Sequence, residues 1–223
     1  MRETIELDLD YGTIMSRRVP GWLSKLFDQW GENNIRYAKL MDGDDVSWFY
    51  NERACVGLLA AAAWQTGYIA VEEYSALKGL EDKQRNGRAD LWIYNPKSIT
   101  LAIEAKFRWA WKVLKPQKLI QKLDEAVRDA SCYQGGDKRI GAVFIVPFFP
   151  ADWETSQVNE AIEKMLRVVS ETNPDAASWC FPKNCRGFRF GEGELERIFP
   201  GIIVVMNVAP KAEAVTSDGT ISR

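Results

Sequence analysis

Two neighbouring segments, Gly87-Arg88-Ala89-Asp90-Leu91-Trp92-Ile93 and Ile99-Thr100-Leu101-Ala102-Ile103-Glu104-Ala105-Lys106-Phe107, read as β-strands that carry charge inside otherwise apolar runs. The intervening Asn95-Pro96-Lys97-Ser98 has the composition of a tight turn and joins them as a hairpin. Charge buried in an apolar strand is costly unless it is paired, hydrogen-bonded or bound to a metal. Asp90, Glu104 and Lys106 therefore call for a reason. In a strand, alternate residues share a face, so Glu104 and Lys106 project together while Leu101, Ile103, Ala105 and Phe107 take the other side. Asp90, on the companion strand, can meet Glu104 across the hairpin.

Working outward from the hairpin, apolar spacing predicts a helix over Gly21 to Leu40, with Trp22, Leu23, Leu26, Phe27 and Trp30 on one side. A second helix is expected from an N-cap at Asp45 or Ser47 to about Gln65, ended by Gly67. Glu52 falls within its stripe of Trp48, Cys55, Leu59 and Ala63, so the carboxylate points inward; a solvated glutamate favouring the helix dipole is the alternative. Tyr68 to Tyr74 reads as a strand, followed by a polar link from Lys78 to Asn86. Beyond the hairpin come a helix from Pro116 to Tyr133 and a buried, nearly continuously apolar strand from Arg139 to Phe149. A helix over Thr155 to Ser170, an irregular stretch over 173–197 and a strand over Ile202 to Val208 complete the order. Residues 1–18 are expected to be irregular and 209–223 a disordered tail.

The chain has 223 residues, a formal charge of −2, four cysteines and no histidine. Such a composition suits a globular α/β protein and offers no global attraction to polyanions, so a nucleic-acid site must come from local clustering. The longest apolar run, Val56 to Trp64, is too short to cross a bilayer and the N-terminus has no signal pattern, so a soluble, cytoplasmic protein is expected. Absence of histidine excludes Ser–His and Cys–His nucleophiles and mixed zinc sites, leaving carboxylates, lysine, tyrosine and metal-activated water for chemistry. The scattered Cys55, Cys132, Cys180 and Cys185 read as reduced structural thiols, a local Cys180–Cys185 disulfide or a four-cysteine site being the alternatives.

Two adjacent carboxylates repel, and a hard divalent cation between them removes the conflict: Mg²⁺ takes a few carboxylate oxygens, a carbonyl and retained waters. Lys106 would then neighbour a metal-bound water, and the two cations would neutralise charge on a phosphate under in-line attack. The order helix with Glu52, strand, strand with Asp90, strand with Glu104-Ala105-Lys106, helix, strand resembles the PD-(D/E)xK, or restriction-endonuclease-like, nuclease superfamily over residues 45–149. That resemblance implies an α/β fold with a restriction-endonuclease-like αβββαβ core, a central mixed sheet flanked by helices. An N-terminal helical extension (1–44) and C-terminal additions (150–208) would surround it. It also implies Asp90, Glu104 and the Ala105 backbone carbonyl as Mg²⁺ ligands, with Mn²⁺ able to substitute. Lys106 becomes the catalytic lysine, and Glu52 the helical carboxylate that supports metal or water. Ala89 stands where the motif's name places proline, and a second acidic-x-Lys triplet, Glu81-Asp82-Lys83, lies in the polar link.

The implied activity is hydrolysis of phosphodiester bonds, with DNA the expected substrate and a homodimer one possible assembly; a catalytically inactive nucleic-acid-binding protein of the same fold is the alternative. Arg108, Lys112, Lys115, Lys118 and Lys122 follow the motif with no acid before Asp124 and form a local basic stripe able to contact phosphates, as Arg88 could from the hairpin. An ordinary solvated helix face explains these lysines as well. Trp109 and Trp111 among them suit core packing or the stacking of unpaired bases.

Overall fold

The computed structural model describes residues 8–42, 44–79, 85–134 and 136–210. The Glu81-Asp82-Lys83 triplet and residues 211–223 of the expected tail lie outside them. Four α-helices are present among the described residues: α1 (Leu23–Leu40), α2 (Glu52–Gln65), α3 (Pro116–Ser131) and α4 (Thr155–Glu171). The strands are β1 (Tyr11–Met15), β2 (Ile69–Lys78), β3 (Arg85–Tyr94), β4 (Thr100–Trp111), β5 (Tyr133–Gln134), β6 (Lys138–Pro150), β7 (Ala176–Cys180), β8 (Arg189–Phe190), β9 (Arg197–Ile198) and β10 (Ile202–Val208).

Eight strands lie side by side in the order β1-β7-β10-β6-β4-β3-β2-β5, and β9, with β8 beside it, hangs on the end of β6. Every pairing is antiparallel except β4 with β6, which the α3 crossover makes parallel. β6 is buried on both faces, which is why its sequence is almost unbroken in apolar residues. Its Ile140, Ala142, Phe144 and Val146 pack with α1 and α2 residues such as Phe27, Trp30 and Leu59. Val143 and Ile145 pack against Leu119, Leu123 and Ala126 of α3 and Ile162 and Met165 of α4. The sheet is therefore sandwiched, with two helices supplying the apolar stripe for each face. No helix among the described residues is long and apolar enough to cross a membrane.

Several expectations need correction. Residues 11–15 are the edge strand β1, paired along its length with β7, which itself forms inside the stretch expected to be irregular. Both strands are only five residues long, too short to show a period against their polar surroundings. The N-cap of α2 is Asn51, whose side chain accepts from Ala54 N at 3.2 Å. Asp45 instead accepts from the hydroxyls of Tyr37 (2.6 Å) and Tyr50 (2.5 Å), and Ser47 opens a separate 3-10 turn. Trp48 thus lies outside α2, buried, with its indole N–H donating to the Phe199 carbonyl at 3.0 Å. At the chain's far end, Ala209 is buried and donates its N–H to Arg139 O at 2.8 Å.

One irregularity positions everything that follows. A regular pleat would put Ala70, Glu72, Tyr74 and Ala76 of β2 on one face. Ala70 packs in the core beneath α1 and α2, and Glu72 lies beside Gly57 of α2. Tyr74, however, stacks on Trp92 at 5.0 Å, and Ala76 packs with Tyr133 on the opposite face. The switch occurs at Glu73, which adopts a left-handed φ of 51°. Glu73 stands opposite Asp90, since Glu72 pairs with Leu91 and Tyr74 with Ala89. β3 rolls over at the same level: Leu91 and Ile93 face α1 and α2, whereas Ala89 joins Ala102 and Tyr133. Rolled in this way, β3 parts from β4 beyond the Leu91–Ile103 pair.

Candidate functional site

Asp90 occupies the gap opened by that parting. Its Oδ2 accepts from Ala105 N at 2.7 Å, replacing the ladder bond that β3 no longer supplies. In an extended strand a residue's N–H and C=O point to the same edge, so the Ala105 carbonyl is turned toward the same gap. Burial raises the Asp90 pKa, more than the Ala105 hydrogen bond lowers it, and the Glu104 charge adds to the rise.

Glu104 lies on the α3 side of β4 and is 7% exposed. Its Oε1 meets Lys106 Nζ at 3.3 Å and its Oε2 meets Lys78 Nζ, from β2, also at 3.3 Å. The Tyr133 hydroxyl donates to the same Oε2 and lies 2.6 Å from the Arg88 carbonyl. Burial, then the Glu104 carboxylate, pushes the Tyr133 pKa well up, so the phenol keeps its proton. Lys106 is shared, with Asp129 of α3 at 2.8 Å on its other side. Burial works to lower its pKa, but Asp129 and Glu104 prevail and hold it at about 12.

Glu52 is the first residue of α2 and borders an open cleft of about 250 Å³ together with Arg53, Val56, Glu72, Glu73 and Asp90. It is half-buried, and burial followed by the Asp90 charge raises its pKa, with Lys106 opposing. The inward direction expected for Glu52 is thus what the helix start provides. Glu73 bridges Arg53 (3.4 Å) and Arg88 (3.5 Å), closing the outer side of the cleft.

The basic stripe is not a single surface. Lys115 and Lys118 are exposed, Lys118 lying 3.4 Å from Gln121 Oε1. Lys122 is paired with Glu125 at 2.8 Å and is near enough to act on the Glu52 charge. Lys112 turns away past the end of β4, over the rings of Trp111 (4.9 Å) and Trp153 (5.8 Å). Arg108 continues the line of Glu104 and Lys106 along β4, its Nε buried and lacking a hydrogen-bond partner among the described residues. Trp109 and Trp111 lie on the opposite face of β4 and pack on Phe148, with Trp109 also against Phe49 and Phe199, while staying 38% and 40% exposed.

The sequence did not single out Lys78, Asp129 or Tyr133. Lys78 falls in the expected polar link and Tyr133 at the end of the expected helix; both reach Glu104 through the rolled β2–β3 hairpin and the short β5 pairing. No local pattern announces such contacts. The one available clue was Gly87, whose missing side chain marks a close approach by another chain segment.

Hard oxygen donors suit Mg²⁺, which is commonly held by one or two carboxylates with retained waters. Asp90, Glu104 and the Ala105 carbonyl make such a set in chemistry. Among the described residues, no group of three or more Asp, Glu, Cys or His side chains is arranged to hold a metal ion. A Mg²⁺ ion held by this set would rest on the Asp90 and Glu104 carboxylates, and Glu104 would exchange lysine partners to take part.

These features define a mixed α/β protein: a central, mostly antiparallel sheet flanked by four helices, with carboxylates and lysines gathered where β3 leaves β4. Compared with protein-family models, curated proteins and solved structures, the chain matches none of them.

Proposed function

We propose that this protein is a Mg²⁺-dependent nuclease that hydrolyses phosphodiester bonds, with DNA as its substrate. The observation that carries this is the convergence of Asp90, Ala105, Glu104 and Lys106 at one break in the sheet, Asp90 bonded to Ala105 N at 2.7 Å and Lys106 to Glu104 at 3.3 Å. The succession α2, β2, β3, β4, α3, β6, with β4 and β6 parallel across the helix, supports a restriction-endonuclease-like αβββαβ core.

In this role Asp90, Glu104 and the Ala105 carbonyl would hold Mg²⁺, which when bound would supply Lewis-acid stabilisation of phosphate charge and lower the pKa of water. Lys106, protonated far above neutral pH, presents fixed positive charge to the phosphate. Glu52, whose pKa is raised, can accept or hold a proton from water at the cleft mouth. Lys115, Lys118 and Lys122 extend along α3 as contacts for neighbouring phosphates.

The test is incubation of single-stranded, duplex and circular DNA, and of RNA, with and without Mg²⁺ or Mn²⁺. Metal-dependent cleavage by the wild type, lost in Asp90→Ala, Glu104→Gln and Lys106→Ala, is the expected result. Cleavage that survives those substitutions refutes the assignment. The full engagement of Glu104 by Tyr133, Lys78 and Lys106 favours one second reading, a non-catalytic nucleic-acid-binding protein. Salt-sensitive binding with no turnover on any substrate would select it.

A further inference from the structure

We propose that Lys78 is a second, substrate-facing ammonium of this site, contacting a phosphate of the nucleic acid; its role presupposes the nuclease reading. Glu104 is flanked almost symmetrically, with Lys106 and Lys78 each 3.3 Å from one of its oxygens and each 18% exposed. The two lysines differ in what else holds them. Lys106 has a second carboxylate, Asp129, at 2.8 Å. Lys78 has the face of Tyr133, 4.4 Å from its Nζ, which stabilises a cation without neutralising it. Were Glu104 to turn to a divalent cation, Lys106 would keep Asp129 as counter-ion, whereas Lys78 has no second carboxylate in ion-pair contact among the described residues. A buried ammonium without an anion is costly, and an incoming phosphate oxygen supplies one.

The backbone is built to admit this lysine. Lys78 is on β2, and its stem crosses Gly87 of β3 to arrive at Glu104. A Cβ on Gly87 would stand 2.6 Å from Lys78 Cδ and 2.8 Å from Cγ, so any larger residue displaces the side chain. Gly87 is regularly paired with Ala76, and its obstacle is a flexible stem rather than backbone. Gly87→Ala thus moves the ammonium while keeping its charge in the protein.

The experiment measures binding of fluorescein-labelled single-stranded and duplex oligonucleotides over a KCl series. Ca²⁺ replaces Mg²⁺ because it takes the same oxygen ligands. Wild type, Lys78→Met, Lys78→Arg and Gly87→Ala are compared, with Lys164→Met, in a surface pair with Glu160, as control. Each phosphate contact contributes about 0.9 to the log–log salt slope on duplex and about 0.7 on single strands. Lys78→Met and Gly87→Ala are expected to lower the slope by about that amount, Lys78→Arg to restore it, and Lys164→Met to leave it unchanged. If Lys78→Met does not fold, Gly87→Ala gives the same reading. Salt-dependent binding with an unaltered slope in Gly87→Ala and Lys78→Met overturns the role of Lys78 while the nuclease reading stands on its cleavage test. No binding to any oligonucleotide overturns both.

Discussion

Asp90 Oδ2 accepts the Ala105 amide at 2.7 Å, so a carboxylate completes the edge of β4 where strand β3 has turned away. A side chain is doing the work of a backbone carbonyl. The same break that costs the sheet its ladder creates the gap into which Asp90 and the Ala105 carbonyl are directed. On the proposed nuclease reading, pairing and chemistry compete for one stretch of strand edge, as in sites held against stability.

Asp90→Asn is accordingly expected to stabilise the protein near neutral pH and, on the proposed nuclease reading, to abolish cleavage. The asparagine oxygen can accept the Ala105 hydrogen bond, and the buried charge is removed. Because the pKa values of Asp90 and Glu52 are raised by burial, the native state binds protons more tightly than the unfolded chain. Their contribution to stability therefore falls as pH climbs from the ordinary carboxylate range through the raised values, and the penalty is full above them. Thermal unfolding should show a gain of about 0.5–2 kcal/mol for Asp90→Asn at pH 7, vanishing in acid below the ordinary aspartate range. A variant that melts below wild type at pH 7 would contradict this account.

Glu104 has the opposite character, since its removal takes the ion-pair partner of Lys78, one of the two carboxylates of Lys106 and an acceptor of the Tyr133 hydroxyl. Breaking a buried ion pair costs about 3–5 kcal/mol, and the lysines here keep some solvent, so about 3 kcal/mol is expected for Glu104→Ala. Glu104→Gln retains an acceptor for Tyr133 and should lose clearly less. Denaturant unfolding of the two variants checks the order. Glu160→Ala, which breaks an exposed pair with Lys164, should leave stability nearly unchanged.

Tyr133→Phe isolates the hydroxyl that reaches Glu104 and the Arg88 carbonyl. Hydrogen bonds to charged groups contribute about 1.5–3 kcal/mol, and that loss should appear in denaturant unfolding. Glu104, freed on that side, should also move more readily toward a cation. Calorimetric titration with Mn²⁺ is expected to show tighter binding in Tyr133→Phe than in wild type, and weaker or no binding in Asp90→Ala.

How much of this was legible in the sequence follows from where each residue sits. The four helices, the hairpin and the strands β6 and β10 announce themselves because each has a long apolar period. Asp90, Glu104 and Lys106 were visible as charges inside such runs; in the structure Glu52 and Asp90 line one cleft, while Glu104 and Lys106 pair at 3.3 Å on the α3 side of β4. β1 and β7 were not legible, being five-residue strands defined only by their partners. Lys78, Asp129 and Tyr133 were hidden for a related reason: their meaning depends on the roll at Glu73 and Asp90, a tertiary event with no local pattern. The lysine stripe after the motif illustrates the reverse error, since Lys112 belongs by sequence to a row from which its ring contacts remove it.

Gly141 sets how near α3 comes to the site. It pairs with Glu104 across the β4–β6 ladder and lies directly beneath the helix: an added Cβ would stand 2.3 Å from Val127 N and 2.6 Å from the Ala126 carbonyl carbon. The obstacle is helix backbone, which cannot yield as a side chain can. Gly141→Ala must therefore lift α3 from the sheet or distort β6, and overpacking of this kind costs about 1–3 kcal/mol or more. Lifting α3 also draws Asp129 from Lys106, now 2.8 Å apart, removing the largest influence that raises the lysine's pKa. The folded fraction of Gly141→Ala should thus show a lower Lys106 pKa than wild type by NMR titration of the ¹⁵N-labelled ammonium. An unchanged melting temperature together with an unchanged Lys106 titration would show that α3 does not depend on this glycine for its seat.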